Sequence, residues 1–386
     1  MGNRATRGRR WFVSGACVGV AILCAAAWPA VRAHLDAVCV LREVAGEPAP
    51  WFARELTAPV TTEDVNFAIE SGQVVRARLY TPRGGENAPA MVLFHGVHYL
   101  GIDEPRLMGF ARAMAGCGIR VLTPELPGIK DYHVSEDSVV TIGESVKWFA
   151  RRTGRPVGVM GLSFAGGLAL VAAEDAQYAA SFKFVFAVGA QDSMARVLEY
   201  YRTGRDARPD GTVEVLPAHE YGPLVIEYEH LEDFVPAANV AAVRAVLRAH
   251  LYEDKKAEAE AEASLKLDQA QRQETLDLMD ATSAATRARI AAVEAKYTSE
   301  MKELSPEWRL KTLSTPVYLL HGEADNVIPA AETLWMASEL PRGDLKAMLV
   351  SPVLSHVNVD EKAPGAMDEW RLVHFFGQVM EAAERR

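Results

Sequence analysis

The stretch that decides the fold is residues 156–173, PVGVMGLSFAGGLALVAA. The apolar run at 157–160 predicts a buried strand, and the apolar residues from Leu168 onward recur at helical spacing. Between them, GLSFAGG at 161–167 places Ser163 at a turn, with small residues on both sides that let the backbone bend tightly. The stretch predicts a nucleophile elbow with Ser163 at its tip. The alternative is a serine in an ordinary tight turn.

Composition limits the class of protein. The 386 residues are 49% hydrophobic with a formal net charge of -10, which is typical of one or two globular domains. We find no basic stripe with interleaved aromatic residues, so no nucleic-acid partner is expected. The four cysteines have no metal-ligand spacing and predict no disulfide framework, although a Cys39–Cys117 bridge is an alternative for an oxidising compartment.

The amino terminus has the pattern of a membrane-directing segment. Residues 1–10 contain four arginines and no acid, and residues 11–31 carry no charge. As a helix this run is long enough to cross a bilayer, and the arginines favour a cytoplasmic amino end. We therefore predict export across the cytoplasmic membrane, with residues 1–31 as a signal anchor. The alternative is a cleaved signal peptide, which would give a secreted or periplasmic protein.

The remaining chain alternates strands and helices after a linker helix at 32–56. Two period-2 runs, 65–69 and 74–80, predict a hairpin of edge strands. Further strands are predicted at 91–94, 120–123, 157–160, 182–188, 317–320 and 345–350, with helices near 105–115, 138–151, 330–340 and 368–383. This alternation predicts an α/β protein with a mostly parallel central sheet, helices on both faces, and catalytic groups on loops at the carboxyl ends of the strands.

Residues 193–314 interrupt the alternation. They are rich in Ala, Glu, Lys, Arg and Gln and predict an inserted helical unit, with one helix after Pro236 and a second long helix across 276–297. Opposite charges at helical spacing indicate a solvated helix face. The alternative is a surface that binds a specific partner.

The candidate chemistry starts from Ser163. A serine hydroxyl needs a general base within hydrogen-bond reach and an acid that orients that base. Asp325 directly follows the strand at 317–320, and His356 follows the strand at 345–350. The chain thus presents the order Ser163, Asp325, His356.

Each assignment has a rival. Asp192, after the strand at 182–188, is an alternative acid. His98 is an alternative base, whereas His374 lies in an apolar helical stretch and is interpreted as a packed or surface histidine.

A third element ends the first central strand, FHGVH at 94–98. Its glycine lets the backbone turn, and we expect this turn to direct the Val97 N–H towards Ser163. Together with the Phe164 N–H it would form a two-donor oxyanion hole. We interpret His95 as a residue that braces the loop.

Four motifs together resemble the α/β-hydrolase superfamily, nearest its esterase and dienelactone-hydrolase-like members: HGVHYLG at 95–101, GLSFAGG at 161–167, HGEADNVIP at 321–329 and LSHV at 354–357. The resemblance covers residues 57–192 and 315–386. It implies the α/β-hydrolase fold, Ser163 as nucleophile, His356 as base, Asp325 as acid, and a cap at 193–314 inserted after the sixth strand. Ala165 departs from the pattern, which has a second glycine there.

The expected function is a carboxylesterase-like serine hydrolase that cleaves a small-molecule ester or related carbonyl compound through an acyl-enzyme. No metal or organic cofactor is needed. The alternatives are a peptidase or thioesterase of the same fold, a lipid-facing enzyme, and a non-catalytic scaffold protein that binds a partner through the charged insert.

Overall fold

The computed structural model describes residues 27–48, 50–252, 255–256, 259–261, 269–354 and 365–384. Strands in this part of the chain are β1 (Val60–Ala68), β2 (Val74–Pro82), β3 (Ala90–Phe94), β4 (Arg120–Pro124), β5 (Val157–Leu162), β6 (Phe182–Val188), β7 (Arg205–Ala207), β8 (Val213–Val215), β9 (Val317–Gly322) and β10 (Leu345–Ser351).

Helices that precede or follow these strands are α1 (27–44), α2 (Ala53–Leu56), α3 (Pro105–Gly116), α4 (Pro127–Lys130), α5 (Glu136–Thr153), α6 (Phe164–Glu174), α7 (Met194–Thr203), α8 (Tyr221–Glu229), α9 (Ala237–Leu251), α10 (Gln269–Met279), α11 (Ala284–Lys296), α12 (Thr298–Glu303), α13 (Ala331–Glu339) and α14 (Ala366–Glu384). Most strand and helix positions therefore agree with the prediction to within a few residues.

In the part of the chain that the structure describes, the central sheet has eight strands in the order β1-β2-β4-β3-β5-β6-β9-β10. β2 runs antiparallel to β1 and to β4, and the other neighbouring strands are parallel. The mostly parallel sheet and the β1–β2 hairpin are thus confirmed. The prediction that both hairpin strands lie at the edge is wrong for β2, because it also pairs with β4.

Alternating side chains of the buried strands explain why helices cover both faces. On β3, Val92 and Phe94 belong to the apolar core shared with α5 and α6. Met91 and Leu93 point the other way, into the core shared with α1, α3 and α14. Each face is therefore apolar and requires its own layer of helices, as a mostly parallel sheet generally does.

The chain leaves the sheet after β6 and returns to it at β9. Between them, the described residues form α7 to α12 and a two-stranded ribbon, β7–β8, which was not predicted. The prediction of one long second helix is wrong, because the chain turns between α10 and α11. Asp280 Oδ1 accepts hydrogen bonds from the N–H and Oγ of Thr282, and Ser283 Oγ caps α11 by accepting the Thr286 N–H.

Helix α1 packs on the core beside α14. Ala33, Ala37 and Val40 are fully buried, and a Cβ at Gly377 of α14 would lie 2.8 Å from the His34 ring. The predicted domain boundary at residue 31 falls inside this helix. Within the described ranges, no helix combines the length and apolar character needed to span a membrane. Residues 1–26 of the predicted anchor lie outside those ranges, so the anchor stays a prediction.

Candidate active site

The turn between β5 and α6 has the geometry of a nucleophile elbow. Ser163 precedes the first residue of α6 with φ 54° and ψ -136°, a backbone conformation that is strained for a residue with a side chain. Its N–H donates to Val188 O at 2.8 Å, and its carbonyl accepts the Gly166 N–H at 2.8 Å. A Cβ on Gly161 would lie 2.5 Å from Ala165 O, so the tight approach requires glycine there. The predicted strand, turn and helix are confirmed.

Ser163 borders a cavity of about 710 Å³ at the carboxyl ends of the central strands. The cavity is also lined by Val97, Phe164 and Asp325, so four of the five predicted site residues meet at one place. The fifth, His356, lies outside the described residues. Leu354, two positions before it, lines the same cavity.

Asp325 lies in the loop that follows β9 and is 2% exposed. Its Oδ1 accepts the N–H groups of Val327 and Ile328, each at 3.0 Å. Its Oδ2 lies 3.5 Å from Nε2 of His321, whose ring is held between Ile328 O at 2.8 Å and Thr333 Oγ1 at 2.7 Å. These contacts hold the carboxylate in one orientation at the edge of the cavity.

His95 braces the loop that carries Val97, as predicted. Its Nε2 accepts the Leu126 N–H at 3.0 Å, which leaves Nδ1–H to donate to Gly96 O at 2.8 Å. The ring is buried, and burial lowers the pKa of His95 to about 4, so it is neutral at pH 7. The C=O and N–H of a trans peptide point in opposite directions, so holding Gly96 O also directs the Val97 N–H.

The residues considered as alternatives for the acid and the base lie in environments that differ from that of Asp325. Asp192 is fully buried beside Arg196, whose Nη2 donates to its Oδ2 at 2.7 Å, and burial raises the pKa of Asp192 to about 8. It belongs to a buried ion cluster beside the sheet and is not among the residues that line the cavity. His98 lines the cavity, and its Nδ1 accepts the Leu100 N–H at 3.2 Å. His374 packs against α1, as predicted, with Nδ1 2.9 Å from Nε2 of His34.

The inserted residues between β6 and β9 supply part of the cavity wall that the sequence did not reveal. His219, Tyr221 and Val225 line the cavity together with Leu251. They lie far along the chain from Ser163, and no local pattern distinguishes them from packed side chains. Within the described ranges, no group of three or more His, Cys, Asp or Glu side chains could hold a metal ion.

The sheet order, the antiparallel second strand and the elbow after β5 together define an α/β-hydrolase fold, as the resemblance implied. No protein-family model and no curated protein sequence matches the chain.

Among solved structures, the chain is similar to brefeldin A esterase, a bacterial homologue of human hormone sensitive lipase, with 16% identity, a TM-score of 0.49, and coverage of 92% of this chain and 85% of that one. It is also similar to the Pyrobaculum calidifontis esterase, with 16% identity, a TM-score of 0.46 and 92% coverage of both chains.

A third similar structure is the Pyrococcus horikoshii acylaminoacyl peptidase, with 15% identity and a TM-score of 0.43. That alignment covers 79% of this chain but only 38% of the peptidase, so this chain spans less than half of the peptidase's length. Identities and TM-scores this low do not carry an activity from one chain to another, so the function is proposed from the geometry of the site.

Proposed function

We propose that the protein is a serine hydrolase that cleaves a carboxylic ester or a related carbonyl compound through an acyl-enzyme. Ser163 is the proposed nucleophile, His356 the general base and Asp325 the acid that orients it. The N–H groups of Val97 and Phe164 are the proposed oxyanion hole. The observation that carries the proposal is the strained elbow conformation of Ser163 inside a cavity that Asp325 and Val97 also line.

In this mechanism, Ser163 Oγ attacks the substrate carbonyl while its proton passes to His356. The two N–H groups stabilise the negative charge that develops on the carbonyl oxygen. The tetrahedral intermediate then collapses, and the leaving alcohol takes the proton from His356. Water attacks the acyl-enzyme by the same route and releases the carboxylic acid and free Ser163.

Three further features support the proposal. The loop after β9 presents the Asp325 carboxylate in a fixed orientation at the cavity. The described chain after β10 reaches the cavity at Leu354, two positions before His356 in the sequence. A cavity of about 710 Å³ lies within the range of roughly 300–1,000 Å³ that is typical of small-molecule sites.

The test is hydrolysis of p-nitrophenyl acetate by the full chain, by Ser163→Ala and by Ser71→Ala. Ser71 is an exposed serine in the β1–β2 turn and serves as the matched control. We expect Ser163→Ala to lower kcat/KM by at least about 1,000-fold, because it removes the nucleophile, and Ser71→Ala to leave it unchanged. Equal activity of the two variants would overturn the proposal.

The class of scissile bond is tested with an ester, a thioester and an amide that share one acyl group. Our proposal expects the ester to have the highest kcat/KM. An amide cleaved faster than the ester would instead indicate a peptidase of the same fold. A protein that hydrolyses none of the three and shows no reaction of Ser163 with a fluorophosphonate probe would be a binding or scaffold protein.

We also propose, from the sequence alone, that residues 1–31 export the protein across the cytoplasmic membrane and anchor it there. The arginine-rich start and the uncharged run at 11–31 support this proposal. Fractionation of the full unfused chain should recover it with membranes. Recovery of the intact chain in a soluble cytoplasmic fraction would contradict the proposal, and a shortened soluble chain outside the cytoplasm would indicate a cleaved signal peptide.

A further inference from the structure

Tyr221 connects the inserted helices to the loop that carries the proposed oxyanion hole. It is the first residue of α8, and its hydroxyl donates to Val97 O at 2.7 Å. The two residues are 124 positions apart in the chain. The contact therefore links a residue of the insert to the loop that follows the first parallel strand, β3.

Val97 is held at both of its peptide groups. On its amino side, Gly96 O accepts the Nδ1–H of His95, and on its carboxyl side, Val97 O accepts the hydroxyl of Tyr221. Gly96 has no side chain to restrict its rotation, and a Cβ there would lie 3.2 Å from Ser163 Cβ. The backbone orientation of Val97 thus depends on the hydrogen bonds made by the His95 ring within the loop and by the Tyr221 hydroxyl from the insert.

The same part of the insert also holds the loop that carries Asp325. Asn326 O accepts the His219 N–H at 2.8 Å and the Tyr200 hydroxyl at 3.2 Å. Both the oxyanion loop and the acid loop are therefore held by residues of the segment that runs from α7 to the first residue of α8.

We propose that Tyr221 is a positioning residue, which acts through Val97 by keeping its N–H aimed at the oxyanion, and that the insert is consequently part of the catalytic apparatus. This inference rests on the proposed serine hydrolase function. If the Tyr221 hydroxyl only stabilised the fold, its removal would change kcat and the binding of a transition-state analogue no more than removal of a similar hydroxyl elsewhere in the insert. Removal of a positioning hydroxyl lowers both kcat and the affinity for the analogue, and leaves ground-state binding unchanged.

The test compares Tyr221→Phe with Tyr297→Phe in the full chain. Tyr297 is the matched control, because its hydroxyl also lies in the insert and donates a hydrogen bond, to Asp233 Oδ2 at 2.9 Å, away from the cavity. For each variant, kcat and KM are measured with p-nitrophenyl acetate. The inhibition constant is measured for an aryl trifluoromethyl ketone, to which Ser163 Oγ adds to form a hemiketal oxyanion while its proton passes to His356.

We expect Tyr221→Phe to lower kcat by about 5- to 30-fold with KM changed less than about twofold, and to raise the ketone inhibition constant by the same factor as kcat falls. This is less than the roughly 100- to 1,000-fold loss expected when an oxyanion donor is removed outright. Tyr297→Phe should behave as the wild-type chain does.

Three results would overturn the inference. Equal kinetics of the two variants would show that the Tyr221 hydroxyl has no role in the reaction, and a raised KM with unchanged kcat would show that it binds substrate. A wild-type chain that neither hydrolyses esters nor reacts with a fluorophosphonate at Ser163 would overturn the proposed function and this inference together. Amide hydrogen exchange at residues 95–100 gives an independent readout, and we expect faster exchange in Tyr221→Phe only.

Discussion

Replacing Gly161 by alanine would place a methyl group against the backbone that carries Ser163. An ideal Cβ at this position lies 2.5 Å from Ala165 O, 2.6 Å from Gly166 Cα and 2.7 Å from Ala165 C. These neighbours are backbone atoms of the first turn of α6, so no flexible side chain can move aside. The turn itself must open.

The distances set the size of the effect. An ordinary contact begins near 3.4 Å, so the shortest distance, 2.5 Å, must grow by about 0.9 Å. Overpacking a core commonly costs about 1–3 kcal/mol, and we expect the upper end, about 3 kcal/mol, because only backbone can yield. A shift of about 1 Å in a reacting group lowers the rate about 100-fold, so we expect kcat of the folded Gly161→Ala variant to be at least about 100-fold lower than that of the wild-type chain.

Gly109→Ala is the matched control. Gly109 lies inside α3, and nothing lies within 4 Å of its ideal Cβ, so alanine there should stabilise the protein by about 0.5–1 kcal/mol. Urea unfolding gives the free energies, and p-nitrophenyl acetate hydrolysis gives the rates. If Gly161→Ala matched Gly109→Ala in both measurements, the steric account of the elbow would be refuted.

Three other predictions follow from buried groups. Burial raises the pKa of Asp192 to about 8, above its ordinary 3.8, so the folded state binds the proton more tightly than the unfolded state. The free energy of unfolding should therefore fall as the pH rises from about 4 to 8. Asp192→Asn should make this fall smaller in urea titrations, and an unchanged pH dependence would contradict the prediction. Cys39 and Cys117 are buried free thiols that line the same small cavity, so diamide oxidation should yield a Cys39–Cys117 cross-link in a peptide map. Recovery of both as free thiols would count against this prediction. His95→Ala leaves the buried Leu126 N–H and the partly buried Gly96 O without their partner and should cost about 2–4 kcal/mol. His374→Ala, at an exposed histidine, should change the free energy of unfolding by no more than about 0.5 kcal/mol. Equal unfolding midpoints of the two variants would disprove the bracing role.

The sequence predicted the elements whose residues carry their own signal. The apolar runs that became β3, β4, β5, β6 and β9 are short, buried and followed by loops, and the elbow at Ser163 combines an apolar run, small residues and helical spacing. The position of Asp325 followed from the rule that catalytic groups occupy the carboxyl ends of parallel strands.

The errors occurred where local pattern is weak. The strands of the β7–β8 ribbon have only three residues each, and Val213 and Val215 are exposed, so no alternation marks them. The turn between α10 and α11 depends on hydrogen bonds made by Asp280 and Ser283, polar residues that also fit an exposed helix face.

The contacts of the insert at the site could not be predicted from local sequence pattern, for a different reason. The hydrogen bond from Tyr221 to Val97 and the one from Tyr200 to Asn326 join residues more than a hundred positions apart. Such contacts exist only once the chain is folded. A tyrosine in an amphipathic insert gives no sign in the sequence of which distant carbonyl it will meet.

The central claim is that the Ser163 hydroxyl is a nucleophile activated by His356. The most direct test is the second-order rate constant for reaction with a fluorophosphonate probe, measured in the wild-type chain and in His356→Ala. Tandem mass spectrometry locates the labelled residue. We expect the probe on Ser163 alone, and a rate about 10²- to 10⁴-fold lower in His356→Ala, because the general base is lost. A probe attached to another residue, or an equal rate without His356, would contradict the account.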